Sequence, residues 1–145
     1  MTEPEPGRVI GVDLGEVRVG VAVSDPGRRL AFPLAVLDRA KRADGGEWTA
    51  LRAIIAEQGA STVVVGLPLR LDGSIGPAAR HAMEVIDSLR RALPGVEVLS
   101  CDERLSTVEA ARARRLGQPR REARRRVDDA AAAVVLQAWL DRERR

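Results

Sequence analysis

Carboxylates in unusual surroundings are the residues of this sequence best suited to chemistry. Asp13 sits in Gly11-Val12-Asp13-Leu14-Gly15, a single acid inside an apolar run. Burying it unpaired would cost several kcal/mol, so it needs a cationic side chain or a metal ion. The glycines around it leave room for a ligand to approach the backbone. Glu103 follows the expected strand Val96–Ser100 and precedes Ser106-x-x-Glu109, a helix-capping pattern. Asp128 and Asp129 stand directly before Ala130–Leu136. Each acid also has a plainer use. Asp13 could pair with Arg18, Asp102-Glu103-Arg104 could be a solvated turn, and Asp128 and Asp129 could favour the positive end of a helix dipole. Adjacent helical residues point about 100° apart, so only one of that last pair can face a sheet.

If the three acidic positions converge, the ligand set is all oxygen. The sequence has one histidine, His81, and one cysteine, Cys101, which leaves no cluster of soft ligands and no intramolecular disulfide framework. Oxygen ligation selects a hard cation, Mg²⁺ or Mn²⁺. Two such ions about 3.5–4 Å apart can activate a water and stabilise a leaving oxyanion, the requirements of phosphodiester hydrolysis.

The charge distribution suits such a substrate. The formal net charge is only +3, but residues 1–103 carry 12 basic and 15 acidic groups (net −3) while residues 104–145 carry 12 basic and 6 acidic (net +6). Between Arg112 and Arg126 eight arginines face one acid, Glu122. A charge run is commonly a solvated face, yet this density beside an acidic site favours a nucleic-acid backbone. Arg104 and Arg120, Arg121, Arg124, Arg125 and Arg126 are the candidate phosphate contacts, with Arg104 equally able to orient Glu103. Gly117-Gln118-Pro119 interrupts the preceding helix and is expected to leave the five later arginines on a mobile arm. Three aromatic residues, Phe32, Trp48 and Trp139, are too few for a base-stacking platform.

The elements that must position these residues read as βββαβαβα. Arg8–Leu14 and Arg18–Ser24 form a β-hairpin around Gly15-Glu16-Val17, and Leu30–Leu37, with Pro33, suits an edge strand. Lys41–Glu47 is a polar loop, and Trp48, Leu51, Ile54 and Ile55 recur at helical spacing until Gly59. Thr62–Val65 is a strand buried on both faces, Gly66–Gly76 a loop, Pro77–Leu93 a helix, and Val96–Ser100 a last strand. A helix is expected from the cap at Ser106 to Leu116, and a final one over Val127–Leu140. This order implies an α/β fold: a mixed five-stranded sheet, three antiparallel strands then parallel ones, with helices on both faces. Sites in such sheets form beyond the carboxyl ends of the parallel strands, which directs attention to Asp13, the loop after Gly66, and Glu103. One domain is expected over 8–141, with a disordered tail at 1–7 and a charged tail at 142–145. The longest aliphatic run, Ala130–Leu136, is seven residues, too short to span a bilayer.

Several strings resemble the YqgF/RuvX family. They are Gly11-Val12-Asp13-Leu14-Gly15, Arg18-Val19-Gly20-Val21-Ala22-Val23-Ser24-Asp25, Val65-Gly66-Leu67-Pro68-Leu69 with Asp72-Gly73-Ser74, Asp102-Glu103-Arg104-Leu105-Ser106-Thr107, and Val127-Asp128-Asp129-Ala130-Ala131-Ala132. That family comprises nucleases assigned to pre-16S ribosomal RNA, also described as Holliday-junction-resolvase-like. The resemblance spans residues 8–141 and implies a ribonuclease H-like fold. It also implies Asp13, Glu103 and Asp128 as metal-binding catalytic carboxylates, Asp128 matching because it directly follows Val127. Glu16 and Val17 depart from a common Thr-Lys pair, and Arg70 from a frequent Asn.

The function expected is therefore a metal-dependent endonuclease that processes the 5′ end of pre-16S ribosomal RNA in ribosome biogenesis. A resolvase of branched DNA would use the same chemistry, and a non-catalytic nucleic-acid-binding scaffold would use the fold alone. An actin- or sugar-kinase-type ATPase shares the Gly-x-Asp-x-Gly loop but needs a second lobe. The expected setting is the cytoplasm, without membrane contact, as a monomer or weak homodimer.

Overall fold

The computed structural model describes residues 7–38, 46–105 and 120–144, and within them the side chains other than those at 46–48, 105 and 120–129. Strand β1 (Arg8–Leu14) turns through Gly15-Glu16-Val17 into β2 (Arg18–Ser24), closed by the Gly15 amide donating to the Arg18 carbonyl at 2.9 Å. Strand β3 (Ala31–Asp38) lies at the edge, as Pro33 requires. It pairs antiparallel to β2, with a register shift beside Pro33. Helix α1 (Gly46–Glu57) leads to β4 (Ala60–Leu67), helix α2 (Pro77–Ala92) to β5 (Glu97–Asp102), and a single 3-10 turn (Glu103–Leu105) follows. The sheet order is β3-β2-β1-β4-β5, and β1, β4 and β5 are parallel. Helix α3 (Arg120–Glu143) is the last element.

Strand alternation divides the core in two. Ile10, Val12, Val19, Val21, Val63, Val65 and Val98 pack against Leu51 and Ile55 of α1 and Val85, Ile86 and Leu89 of α2. Val9, Ala22, Val64 and Cys101 point the other way, onto Ala131, Ala132, Val135, Leu136 and Leu140 of α3. The mixed sheet with helices on both faces is thus observed. Odd-numbered residues of β1 face α3, and Asp13 shares that parity.

Several expected boundaries change. Helix α1 begins at Gly46, inside the expected polar loop Lys41–Glu47, and β5 runs to Asp102 instead of ending at Ser100. Strand β4 includes Gly66 and Leu67 instead of leaving them in the loop, because both pair with β5, opposite Cys101 and Asp102. Helix α3 starts at Arg120 and ends at Glu143, not at Val127 and Leu140. The expected mobile arm of Arg120, Arg121, Arg124, Arg125 and Arg126 is therefore corrected: these positions form the first turns of the helix. Arg, Glu and Ala are strong helix formers, and no glycine or proline follows Pro119. The expected helix over 106–116 and the N-terminal tail up to residue 6 lie outside the described residues, as do residues 41–45 of the expected polar loop.

Helix α3 sits very close on β1. A Cβ at Gly11 would lie 2.7 Å from Leu136 Cβ and 3.2 Å from the Ala132 carbonyl oxygen. The carboxyl-terminal half of the helix is tied to the rim where β1 begins. Gln137 Oε1 accepts the Ala31 amide at 2.9 Å and its Nε2 donates to the Arg29 carbonyl, to which Arg144 also donates. Ala31 pairs with Ser24, whose hydroxyl accepts the Val9 amide. On the same rim Arg28, in the left-handed region at φ 58°, joins Gly7, Ser61 and Thr62. Helix α3 therefore runs antiparallel to β1, its amino-terminal half rising toward the strand's carboxyl end. Gly11→Ala should lose about 1–3 kcal/mol of stability in urea denaturation, because backbone as well as side chain must move. An unchanged midpoint would contradict this close packing.

Candidate active site

Asp13 lies on β1 opposite Gly20 of β2, and its side chain is buried. Glu103, in the 3-10 turn just past β5, is buried as well. The neighbour that makes room for it is Gly66. A Cβ there would stand 2.6 Å from Glu103 Oε1 and 3.0 Å from its Cγ. The Glu103 carboxylate thus lies across the bare backbone of β4. Val12 pairs with Val65 in the β1–β4 register, so Gly66 is the β4 residue beside Asp13. Two buried carboxylates therefore occupy the α3-facing side of the sheet, at the carboxyl ends of the parallel strands.

Arg104 grips Asp102. Its Nε lies 3.1 Å from each carboxylate oxygen, its Nη2 is 2.7 Å from Oδ2, and its amide donates to Oδ1 at 2.9 Å. These bonds, the Arg104 side-chain contact foremost, hold the Asp102 carboxyl below the usual aspartate range. Arg104 Nη1 also reaches the Leu71 carbonyl at 3.4 Å and overlies Gly73. The arginine next to Glu103 therefore braces the β4–α2 loop. Cys101, buried at the end of β5, has its thiol pushed up by burial, which fits an inert packed residue.

Asp128 belongs to α3, but its side chain, like that of Asp129 and of the arginines at 120–126, lies outside the described residues. Among the described residues, no three His, Cys, Asp or Glu side chains gather to hold a metal ion. Sequence reasoning missed Gly66 as the clearance for Glu103, although a glycine ending an apolar strand was the available signal. It also missed Asp102 as the partner of Arg104, which two-residue spacing within a turn could have suggested.

The strand order, the parallel and antiparallel pairings, and the helices on both faces define a ribonuclease H-like fold. The chain belongs to the RuvX family, described as Holliday junction resolvase, whose profile matches residues 7–142. A relative from Nocardia farcinica (strain IFM 10152), named "Putative pre-16S rRNA nuclease", is 45% identical over 145 residues, 97% of this chain and 81% of its own. One of the same name from Anaeromyxobacter sp. (strain Fw109-5) is 48% identical over 136 residues, 92% of this chain and 96% of its own. Among solved structures, Thermus thermophilus RuvC in complex with a Holliday junction substrate shares the fold. Its TM-score is 0.55 at 18% identity, over 94% of this chain and 96% of that one.

The two features specific to this site give two tests. Gly66→Ala should displace the Glu103 carboxylate and lower cleavage by about a hundredfold while the protein stays folded. Cleavage at the wild-type rate would show that Glu103 needs no clearance. Asp102, its carboxyl held low in the folded state, adds stability above the ordinary value of 3.8, and loses it as pH falls through its depressed value. Wild type should therefore exceed Asp102→Asn in urea stability near neutrality, with the gap shrinking as the pH falls below 3.8. A gap independent of pH would remove the ion pair as its cause.

Proposed function

We propose that this protein is a metal-dependent endonuclease that hydrolyses phosphodiester bonds in ribosomal RNA precursor, with Asp13, Glu103 and Asp128 as its catalytic carboxylates. The observation that carries the proposal is the Glu103 carboxylate lying across Gly66, one strand from buried Asp13. Membership of a family whose relatives bear nuclease names supports the activity.

Asp128 joins the pair by helical arithmetic. Gly11 touches Ala132 and Leu136, and residues four apart share one helix face. One turn back from Ala132, about 6 Å along the axis, is position 128. Two residues on from Gly11, about 6.6 Å along the strand, is Asp13. Because α3 is antiparallel to β1, both steps lead to the same end of the sheet. Position 129 points about 100° away from position 128 around the helix axis, so one of the two acids faces the site more directly.

The donor set fits a hard divalent cation. Two buried carboxylates lie on one face, and the missing side chain of Gly66 is what lets the Glu103 carboxylate reach across β4 toward Asp13. Mg²⁺ or Mn²⁺, as two ions in the fullest form of this proposal, would supply the Lewis acidity that activates a water and offsets charge on the leaving oxygen. The protein's own part is to hold those carboxylates in place. The buried strand-end position of Asp13 limits its rotamers, and the 3-10 turn presents Glu103 without a flexible linker. The arginines that open α3, with Arg104, would bind the backbone of a structured nucleic acid without reading sequence, since a guanidinium forks onto phosphate. No helix among the described residues is long and apolar enough to cross a membrane. A cytoplasmic setting suits an enzyme acting on ribosomal RNA.

The family description, Holliday junction resolvase, favours branched DNA as a second substrate. Matched cleavage assays on precursor RNA and on a four-way DNA junction separate the two, with faster metal-dependent cutting of the RNA expected. Cutting of the junction alone would transfer the activity to DNA, and binding without turnover under any metal would leave a scaffold. In the same assay Asp128→Asn should abolish turnover while keeping nucleic-acid affinity, and Asp129→Asn should retain most activity. Exchanged phenotypes would shift the assignment by one residue. Replacing Arg120, Arg121, Arg124, Arg125 and Arg126 with Ser should flatten the slope of log affinity against log salt by about 0.7–0.9 for each phosphate released. An unchanged slope would return these arginines to a solvated face.

A further inference from the structure

Leu71 is 95% exposed, the most exposed large apolar side chain among the described residues. A lone surface leucine is ordinary, but this one occupies the tip of a stiffened loop beside the candidate active site. The Gly73 amide donates to the Arg70 carbonyl at 2.8 Å, which closes a turn with Leu71 and Asp72 at its corners. The Arg70 amide donates to the Ser74 carbonyl at 3.0 Å, and Asp72 Oδ1 accepts the Ser74 amide at 2.9 Å. Gly73 takes φ +87°, a conformation that only glycine adopts cheaply. Arg104 overlies Gly73, reaches the Leu71 carbonyl and is anchored on Asp102, next to Glu103. The Arg70 guanidinium folds back over Gly76. The loop thus holds an apolar side chain outward, with the Arg104 and Arg70 guanidinium groups packed against its glycines Gly73 and Gly76.

Resting on the nuclease reading, we propose that Leu71 is a wedge that inserts between neighbouring bases of paired RNA next to the scissile phosphate, while Arg70 and Arg104 take the flanking phosphates. Apolar side chains presented on rigid supports part base steps and kink the helix, and the contacts made in the bent form offset the lost stacking. Insertion would bend the strand so that one phosphate enters, and would make Leu71 a specificity determinant that favours steps already easy to unstack. The exposed Ile75 on the same loop widens the apolar tip.

The test uses an RNA hairpin carrying 2-aminopurine at successive stem positions, a base whose fluorescence rises when it unstacks. Binding is read with the Asp13→Asn protein without added metal, so that the signal does not depend on turnover. One stem position should brighten on binding. The double variant Asp13→Asn, Leu71→Ser should bind with the same salt dependence but lose most of that rise, and Leu71→Met should keep it. In cleavage assays with metal, Leu71→Ser alone should cut the fully paired hairpin about tenfold more slowly than wild type, yet cut a hairpin already bulged at that step at the wild-type rate. Leu71→Ser removes only an exposed side chain, so the fold is not at risk. An undiminished fluorescence rise in the Leu71→Ser variant, or an equal loss of cleavage on paired and bulged hairpins, would overturn the wedge. If no RNA is cut by wild type, the nuclease reading fails by itself, and the aminopurine signal still decides whether Leu71 parts bases.

Discussion

The burial of Asp13 is the constraint on which the remaining structure turns. A carboxylate on the inner face of a central strand is costly unless positive charge meets it, and along that face β1 is covered by the apolar residues Ala131 to Leu140 of α3. The approach of α3 is so close that Gly11 has no room for a Cβ. At the far rim Gln137 and Arg144 fix its carboxyl-terminal half to the β2–β3 turn and the start of β3. The helix is thus held at one end and in the middle, and its amino-terminal turns, which carry Asp128 and the arginines, are directed over the end of the sheet where Asp13 waits.

Two glycines do complementary work around that acid. Gly11 lets the helix approach from above, and Gly66 lets Glu103 cross from the neighbouring strand. Neither is needed for a turn or a positive φ; each is needed because something else occupies the position of its missing side chain. The site is in this sense made by removal. A sheet of ordinary β-branched residues at these positions would fold with a deeper core and have no place for a second carboxylate. Arg104 and Asp102 extend the same economy outward, because one ion pair both flanks Glu103 in the chain and steadies the loop above it.

The sheet was legible in the sequence because its signals are local. The hairpin's two Val-rich runs and the wholly apolar run Thr62–Val65 specify strands buried on one or both faces, and Pro33 specifies an edge. Helix α3 was harder. Its arginine-rich start looks like a solvated loop by charge, and only helix propensity and the absence of a breaker after Pro119 argue otherwise. The acids Asp13 and Glu103 could be singled out from chemistry alone, whereas Asp128 needed family resemblance, since an apolar run carries no periodicity to choose between neighbouring acids. The part of the site that the sequence concealed is three-dimensional clearance. Nothing local in Val65-Gly66-Leu67 says that a glutamate 37 positions later will lie across it.

The central claim is that carboxylates from β1, the turn after β5 and α3 make one shared cation site. Calorimetric titration of Mn²⁺ into wild type, Asp13→Asn, Glu103→Gln and Asp128→Asn tests it without any assumption about substrate. The account predicts saturable binding in wild type, and a loss of affinity of about tenfold or more in each variant, roughly 1.4 kcal/mol per factor of ten. Equal affinity in wild type and Asp13→Asn would contradict it.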